Sequence, residues 1–126
     1  MTNKVIVALD NKNLKEIIAI VKKTKSEAFG FKIGKEFFYR YGIEGYKKIF
    51  KLSPKIFLDL KLHDIPNTVE KALKAIIKLR PLLTTIHITG GDEMQKASSK
   101  LKRNKTKILG VTVLTSLNTS QTKKYY

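Results

Sequence analysis

Short apolar runs alternate with stretches of helical periodicity along the whole chain, and this alternation most constrains the fold. Val5 to Leu9 is strand-like. Leu14, Ile17, Ile18 and Val21 then recur at helical spacing, with Lys15, Glu16, Lys22 and Lys23 outside the stripe. Asn11 or Asn13 would cap that helix. Phe29 to Gly34 is a second strand. Phe37, Phe38 and Tyr41 start a short helix ended by Gly42, and Ile43 to Leu52 continues as helix until Ser53-Pro54. A third strand begins at Ile56. Pro66 suits the first turn of the next helix, whose stripe is Val69, Ala72, Leu73, Ile76 and Ile77, and Pro81 ends it. Thr85 to Thr89 is a fourth strand closed by Gly90-Gly91. Asp92 to Arg103 is a weaker helix, Ile108 to Leu114 a fifth strand, and Asn118-Thr119 the start of one more helix.

Strands alternating with helices imply parallel pairing and right-handed crossovers, the α/β class. An open doubly wound sheet shares this pattern. However, no G-x-G-x-x-G or G-x-x-x-x-G-K-[ST] follows a strand, so nucleotide-cofactor loops are not indicated. Polar residues close four of the runs: Asp10, Lys32, Asp59 with Lys61, and Thr115. A shared mouth of that kind favours a (β/α)8 barrel. A complete barrel needs about 250 residues, so residues 1–126 are expected to form one incomplete barrel domain, about five βα units of eight.

The chain has no cysteine, which excludes disulfides and thiolate metal sites. No apolar run approaches the length of a membrane span. The start, MTNKVIVALD, enters a strand almost at once and lacks the layout of a signal peptide, so a cytoplasmic location is expected. The net charge is +16, from 26 basic and 10 acidic residues, which raises a nucleic-acid reading. Against it, Arg40, Arg80 and Arg103 are the only arginines, and the lysines are dispersed over the helices. Arginine is the usual choice for bidentate phosphate and base contacts, so a solvated lysine face is the better account.

The richest stretch is Ile56 to Thr68, IFLDLKLHDIPNT. Residues two apart in a strand share a face, so Asp59 and Lys61 point the same way. Burying that carboxylate and ammonium is costly unless they pair, and the alternative is an ordinary surface ion pair. In a parallel barrel, this end of the strand is where chemistry sits. Lys32 lies inside an apolar run, where it either pairs or snorkels to the surface. Asp10 is either a turn residue or a carboxylate at a strand tip. His87 is expected to be a satisfied histidine of the barrel interior rather than a ligand. Two carboxylates and a lysine do not make a metal site by themselves, and nothing here requires a metal or cofactor.

The run D-L-K-L-H-D-I-P-N-T closely resembles the active-site segment of the orotidine 5′-phosphate decarboxylase family. Its Asp-x-Lys-x-x-Asp core is shared with magnesium-dependent sugar-phosphate decarboxylases, whereas Ile65-Pro66-Asn67-Thr68 points to the orotidine branch. The resemblance runs from Val5 to the last residues and covers the first half or so of the family's usual length. It implies a homodimeric lyase of pyrimidine biosynthesis, converting orotidine 5′-phosphate to uridine 5′-phosphate and CO2 without a cofactor. Lys61 would be the proton donor. Asp59 would hold Lys61 and crowd the substrate carboxylate. Lys32 would reach the ribose and, with Asp64, complete an alternating charge chain. Asp64 and Thr68 would enter the neighbouring subunit's site, Asn67 would join the substrate-binding set, Asp10 would contact the ribose, and Thr115 would match a residue at the pyrimidine edge.

The departure from the family is that these 126 residues do not include the later strands with the glycine-rich turn and arginine that grip the substrate phosphate, nor the polar loop that closes over the base. A truncated chain with exposed strand edges is therefore expected to be aggregation-prone and inactive by itself. The other readings are a magnesium-dependent sugar-phosphate decarboxylase and a non-catalytic remnant that binds a partner chain.

Overall fold

The computed structural model describes residues 4–10, 13–101 and 105–126. Among them five strands form one sheet: β1 (Ile6–Ala8), β2 (Gly30–Gly34), β3 (Ile56–Leu62), β4 (Leu83–His87) and β5 (Lys107–Val111). They pair in the order β1-β2-β3-β4-β5, every pair parallel. The helices are α1 (Leu14–Thr24), α2 (Lys35–Leu52), α3 (Pro66–Lys78), α4 (Asp92–Ser99) and α5 (Thr119–Tyr125), one after each strand. This is the α/β class, with the strand order of consecutive units in a (β/α)8 barrel.

Local chemistry accounts for most element ends. Asn13 caps α1: its Oδ1 accepts the Glu16 N–H at 3.0 Å, and its Nδ2 donates to Glu16 Oε1 at 2.6 Å. Asn11, the other expected cap, lies outside the described residues. Gly42, at φ 57°, breaks α2 into two pieces where glycine was expected to end a helix. Pro66 occupies the first turn of α3, where its missing N–H costs nothing. Gly30 is needed for close approach, since a Cβ there would meet the Lys55 backbone carbonyl.

The later element ends correct the expectation. β4 runs from Leu83 to His87, two residues earlier than Thr85 to Thr89. Leu83 and Thr84 pair on both sides, with Phe57 and Leu58 and with Lys107 and Ile108. Ile88 and Thr89 leave the ladder because a 3-10 turn, closed by the Gly91 N–H donating to Ile88 O at 3.1 Å, leads into α4. β5 ends at Val111 rather than Leu114, because its last partner on β4 is His87. The α4 helix stops at Ser99, where Ser98 and Ser99 donate their hydroxyls back to the carbonyls of Met94 and Lys96. Arg103, the expected end, lies outside the described residues.

The core sits on the helix side of the sheet. Phe31 and Ile33 of β2 and Ile56, Leu58 and Leu60 of β3 pack with Ile17 and Val21 of α1 and with Phe37, Tyr46 and Ile49 of α2. A smaller cluster joins Val69 and Leu73 of α3 to Ile86 and Met94. Alternate residues face the other way, toward what would be a barrel interior. Register aligns Ala8, Lys32, Phe57, Leu83 and Lys107 across this face. This second face is mixed, with Phe57 and Leu83 beside the charged Lys32, Asp59 and Lys107.

Among the described residues, no strand covers the outer edge of β1 or of β5. Leu109 in β5 is 41% exposed, and Val113 and Leu114 beyond it are also exposed. No described helix is long and apolar enough to cross a membrane. An open edge carrying apolar side chains pairs readily with another chain, and a charge placed on it blocks that pairing. The 126-residue chain should therefore self-associate with rising concentration in light scattering after gel filtration. Leu109→Lys should shift it toward monomer, and a wild-type chain that stays monomeric throughout would contradict this.

Candidate active site

The site forms where β1, β2 and β3 end side by side. Asp59 is only 7% exposed, and its strand partner on β2 is Gly34. With no side chain at Gly34, Lys32, two residues earlier on the same face of β2, can lie between two carboxylates. Its Nζ is 3.7 Å from Asp59 Oδ2 and 3.9 Å from Asp10 Oδ2. Lys61 Nζ donates to Asp59 Oδ2 at 2.7 Å. Asp10, Lys32, Asp59 and Lys61 therefore alternate in sign across three neighbouring strands.

The backbone at Lys61 is unusual. Its φ is 49°, left-handed for a residue with a side chain, which costs roughly 1–2 kcal/mol. The β3–β4 register shifts between Leu58 and Leu62, so Lys61 lies in the irregular part of the ladder. Its N–H donates to Thr85 Oγ1 at 2.8 Å instead, and the same hydroxyl donates to Asp59 Oδ1 at 2.9 Å. Thr85 was not among the residues expected from sequence. Threonine is common in strands for its branched side chain, and nothing in the run Leu83 to His87 marks this one as a partner of Asp59.

Burial alone would raise the Asp59 carboxyl. The hydrogen bonds from Lys61 and Thr85, with the charges of Lys61 and Lys32, outweigh burial and hold it below its ordinary value. Asp59 is thus a carboxylate at neutral pH and keeps Lys61 anchored.

Two histidines flank this network. The rings of His63 and His87 lie 5.2 Å apart between centroids. His87 is not the fully satisfied histidine expected: its ring packs on His63, and among the described residues nothing hydrogen-bonds its buried Nδ1. Burial, then the neighbouring His63, Lys35 and Lys61, hold the His87 imidazole below its ordinary pKa against the pull of Asp59. It is neutral at pH 7.

The remaining expected residues stand apart. Asp64 is exposed and accepts the Ile65 N–H at 2.7 Å, apart from the network of its own chain, and its expected place was in a neighbouring subunit's site. The loop after β3 turns it outward before α3 begins. Asn67 and Thr68 are exposed in the first turn of α3, and Thr115 is exposed beyond the end of β5.

Comparison with known proteins gives the family. A family model described as "Orotidine 5'-phosphate decarboxylase / HUMPS family" matches residues 3–126. The chain belongs to the orotidine 5′-phosphate decarboxylase / HUMPS family. It is 44% identical over 118 residues to orotidine 5′-phosphate decarboxylase of Erythrobacter litoralis, covering 94% of this chain and 53% of that one. It is 45% identical over 125 residues to the Carboxydothermus hydrogenoformans enzyme, covering 94% and 52%. The crystal structure of the Lactobacillus acidophilus decarboxylase superposes with a TM-score of 0.82 at 39% identity, covering 96% of this chain and 58% of that one. This member of the orotidine 5′-phosphate decarboxylase / HUMPS family thus spans about half the length of the curated relatives it matches.

The lowered Asp59 carboxyl has a consequence for stability. A depressed folded-state value contributes stability above the ordinary carboxylate range, and that contribution is lost as pH falls through the folded value. The paired lysine side chains are about a third exposed, 29% for Lys32 and 33% for Lys61. Asp59→Asn should therefore cost roughly 1–3 kcal/mol at pH 7, less than breaking a fully buried pair. In thermal unfolding the gap between wild type and Asp59→Asn should narrow as pH falls below the ordinary carboxylate range and through the lowered Asp59 value. A constant gap would mean that the Asp59 charge does not contribute.

Proposed function

We propose that these residues carry the catalytic network of an orotidine 5′-phosphate decarboxylase, within one open segment of a (β/α)8 barrel. The observation that carries the reading is the Lys61 ammonium held 2.7 Å from the Asp59 carboxylate at the C-terminal end of β3, with Lys32 bridging Asp59 to Asp10. In the reaction, the bond between the pyrimidine ring carbon and its carboxylate breaks. CO2 leaves, and the electron pair stays on the ring carbon, which has no attached electron sink. An ammonium fixed beside that carbon stabilises the developing charge and then donates its proton, giving uridine 5′-phosphate.

Lys61 fills this role. Asp59 keeps it charged and aimed, and as an anion it also opposes the substrate carboxylate, which is itself an anion until CO2 departs. Lys32 and Asp10 lie at the ribose side of the same mouth. Asp64, Asn67 and Thr68 are exposed at the start of α3, in position to meet a second copy of the protein. In this reading Asp64 and Thr68 enter that copy's site, Asn67 joins the substrate-binding set, Thr115 approaches the pyrimidine edge, and the working protein is a homodimer. A soluble nucleotide substrate fits a cytoplasmic location.

The test is an assay with orotidine 5′-phosphate of a polypeptide that joins these 126 residues to the remaining part of a curated relative. Turnover to uridine 5′-phosphate is expected, and Lys61→Ala should lower kcat by about 1,000-fold or more while the fold persists. A folded wild-type chain that turns over only a sugar phosphate, in the presence of magnesium, would move the assignment within the family. A Lys61→Ala variant that keeps most of its kcat would remove Lys61 from the mechanism.

A further inference from the structure

We propose that Thr85 is a positioning residue of this site, whose hydroxyl sets the direction in which the Lys61 ammonium is presented. This deepens the functional reading above and rests on it for the catalytic consequence. Thr85 is 3% exposed and lies on the interior face of β4, in register with Leu109 of β5. A hydroxyl has one hydrogen and two lone pairs. The Lys61 N–H, at 2.8 Å, can only donate, so it occupies a lone pair. The single hydrogen is then committed to Asp59 Oδ1 at 2.9 Å. The other carboxylate oxygen, Oδ2, is left to receive the Lys61 ammonium at 2.7 Å.

One side chain thus ties both ends of Lys61. It holds the backbone N–H directly, and it holds the ammonium through the carboxylate. The tie falls where the β3–β4 register shifts and Lys61 adopts φ 49°. Thr85 supplies the partner for an N–H displaced from the regular ladder. Without its hydroxyl, both the Lys61 N–H and Asp59 Oδ1 lose that bond in a buried setting.

Thr85→Val keeps the shape and removes the hydroxyl, and Thr85→Ser keeps the hydroxyl. Two measurements decide the matter. The first is a carbon-detected NMR titration of the Asp59 carboxyl in the 126-residue protein. Thr85→Val should move it up toward the ordinary carboxylate range, and Thr85→Ser should leave it low. The second is kinetics with orotidine 5′-phosphate in the joined polypeptide. Thr85→Val should lower kcat about 10- to 100-fold with KM changed by less than about threefold, and Thr85→Ser should stay within about threefold of wild type. If the valine variant does not fold, Thr85→Ala repeats both measurements. An unchanged Asp59 titration in a folded variant lacking the hydroxyl would overturn the proposal, and so would equal kcat losses in the valine and serine variants. Absence of turnover in every protein, wild type included, would defeat the functional reading alone, since the NMR titration still decides the role of Thr85.

Discussion

A single carboxylate, that of Asp59, receives what three strands bring to it. β2 supplies Lys32, β3 supplies Lys61 and β4 supplies Thr85, and all three meet a group that is 7% exposed. A carboxylate this buried would tend to take up a proton unless donors surround it. The donors keep it ionised, and its charge in turn keeps two ammonium groups fixed in space. Preorganised charge of this kind needs little rearrangement during a reaction, which is why it is effective in electrostatic stabilisation. The left-handed backbone at Lys61 belongs to the same arrangement: a locally unfavourable conformation persists because the surrounding hydrogen bonds over-determine it.

Much of this was legible in the residue order. The stripe Leu14, Ile17, Ile18, Val21 has the period of a helix, and Ile17 and Val21 are indeed buried. Asp59 and Lys61 are two apart in an apolar run, so a shared face follows from strand geometry alone, and the pair is observed. Lys32, an ammonium inside an apolar run, was to pair or to snorkel to the surface, and it has carboxylates on two sides. These inferences use only spacing within one element.

What stayed hidden depends on pairing between elements. The shifted ends of β4 and β5 are set by which residues find partners across the sheet, as when His87 meets Val111 and the ladder stops. Thr85 becomes important only because the β3–β4 register puts its hydroxyl against Asp59, and no local pattern encodes that register. His87 packs on His63, twenty-four positions earlier in the chain, and among the described residues its buried Nδ1 has no hydrogen-bond partner. Asp64 belongs to the charge chain only through the family resemblance, which assigns it to a neighbouring subunit's site, and within this chain it is exposed and accepts the Ile65 N–H.

The strand order has a consequence for how the molecule comes into being. Each strand after β1 pairs with the one that immediately precedes it, and α1 to α4 contribute to the core packed against the sheet. Among the described residues, every ladder joins strands that are consecutive in the chain. Loop closures between partners are short in sequence, which keeps their entropic cost small. The sheet can therefore be laid down one βα unit at a time as the polypeptide leaves the ribosome. Each new strand docks on a template that is already in place, and Asp59 waits for its Thr85 hydroxyl only until β4 emerges.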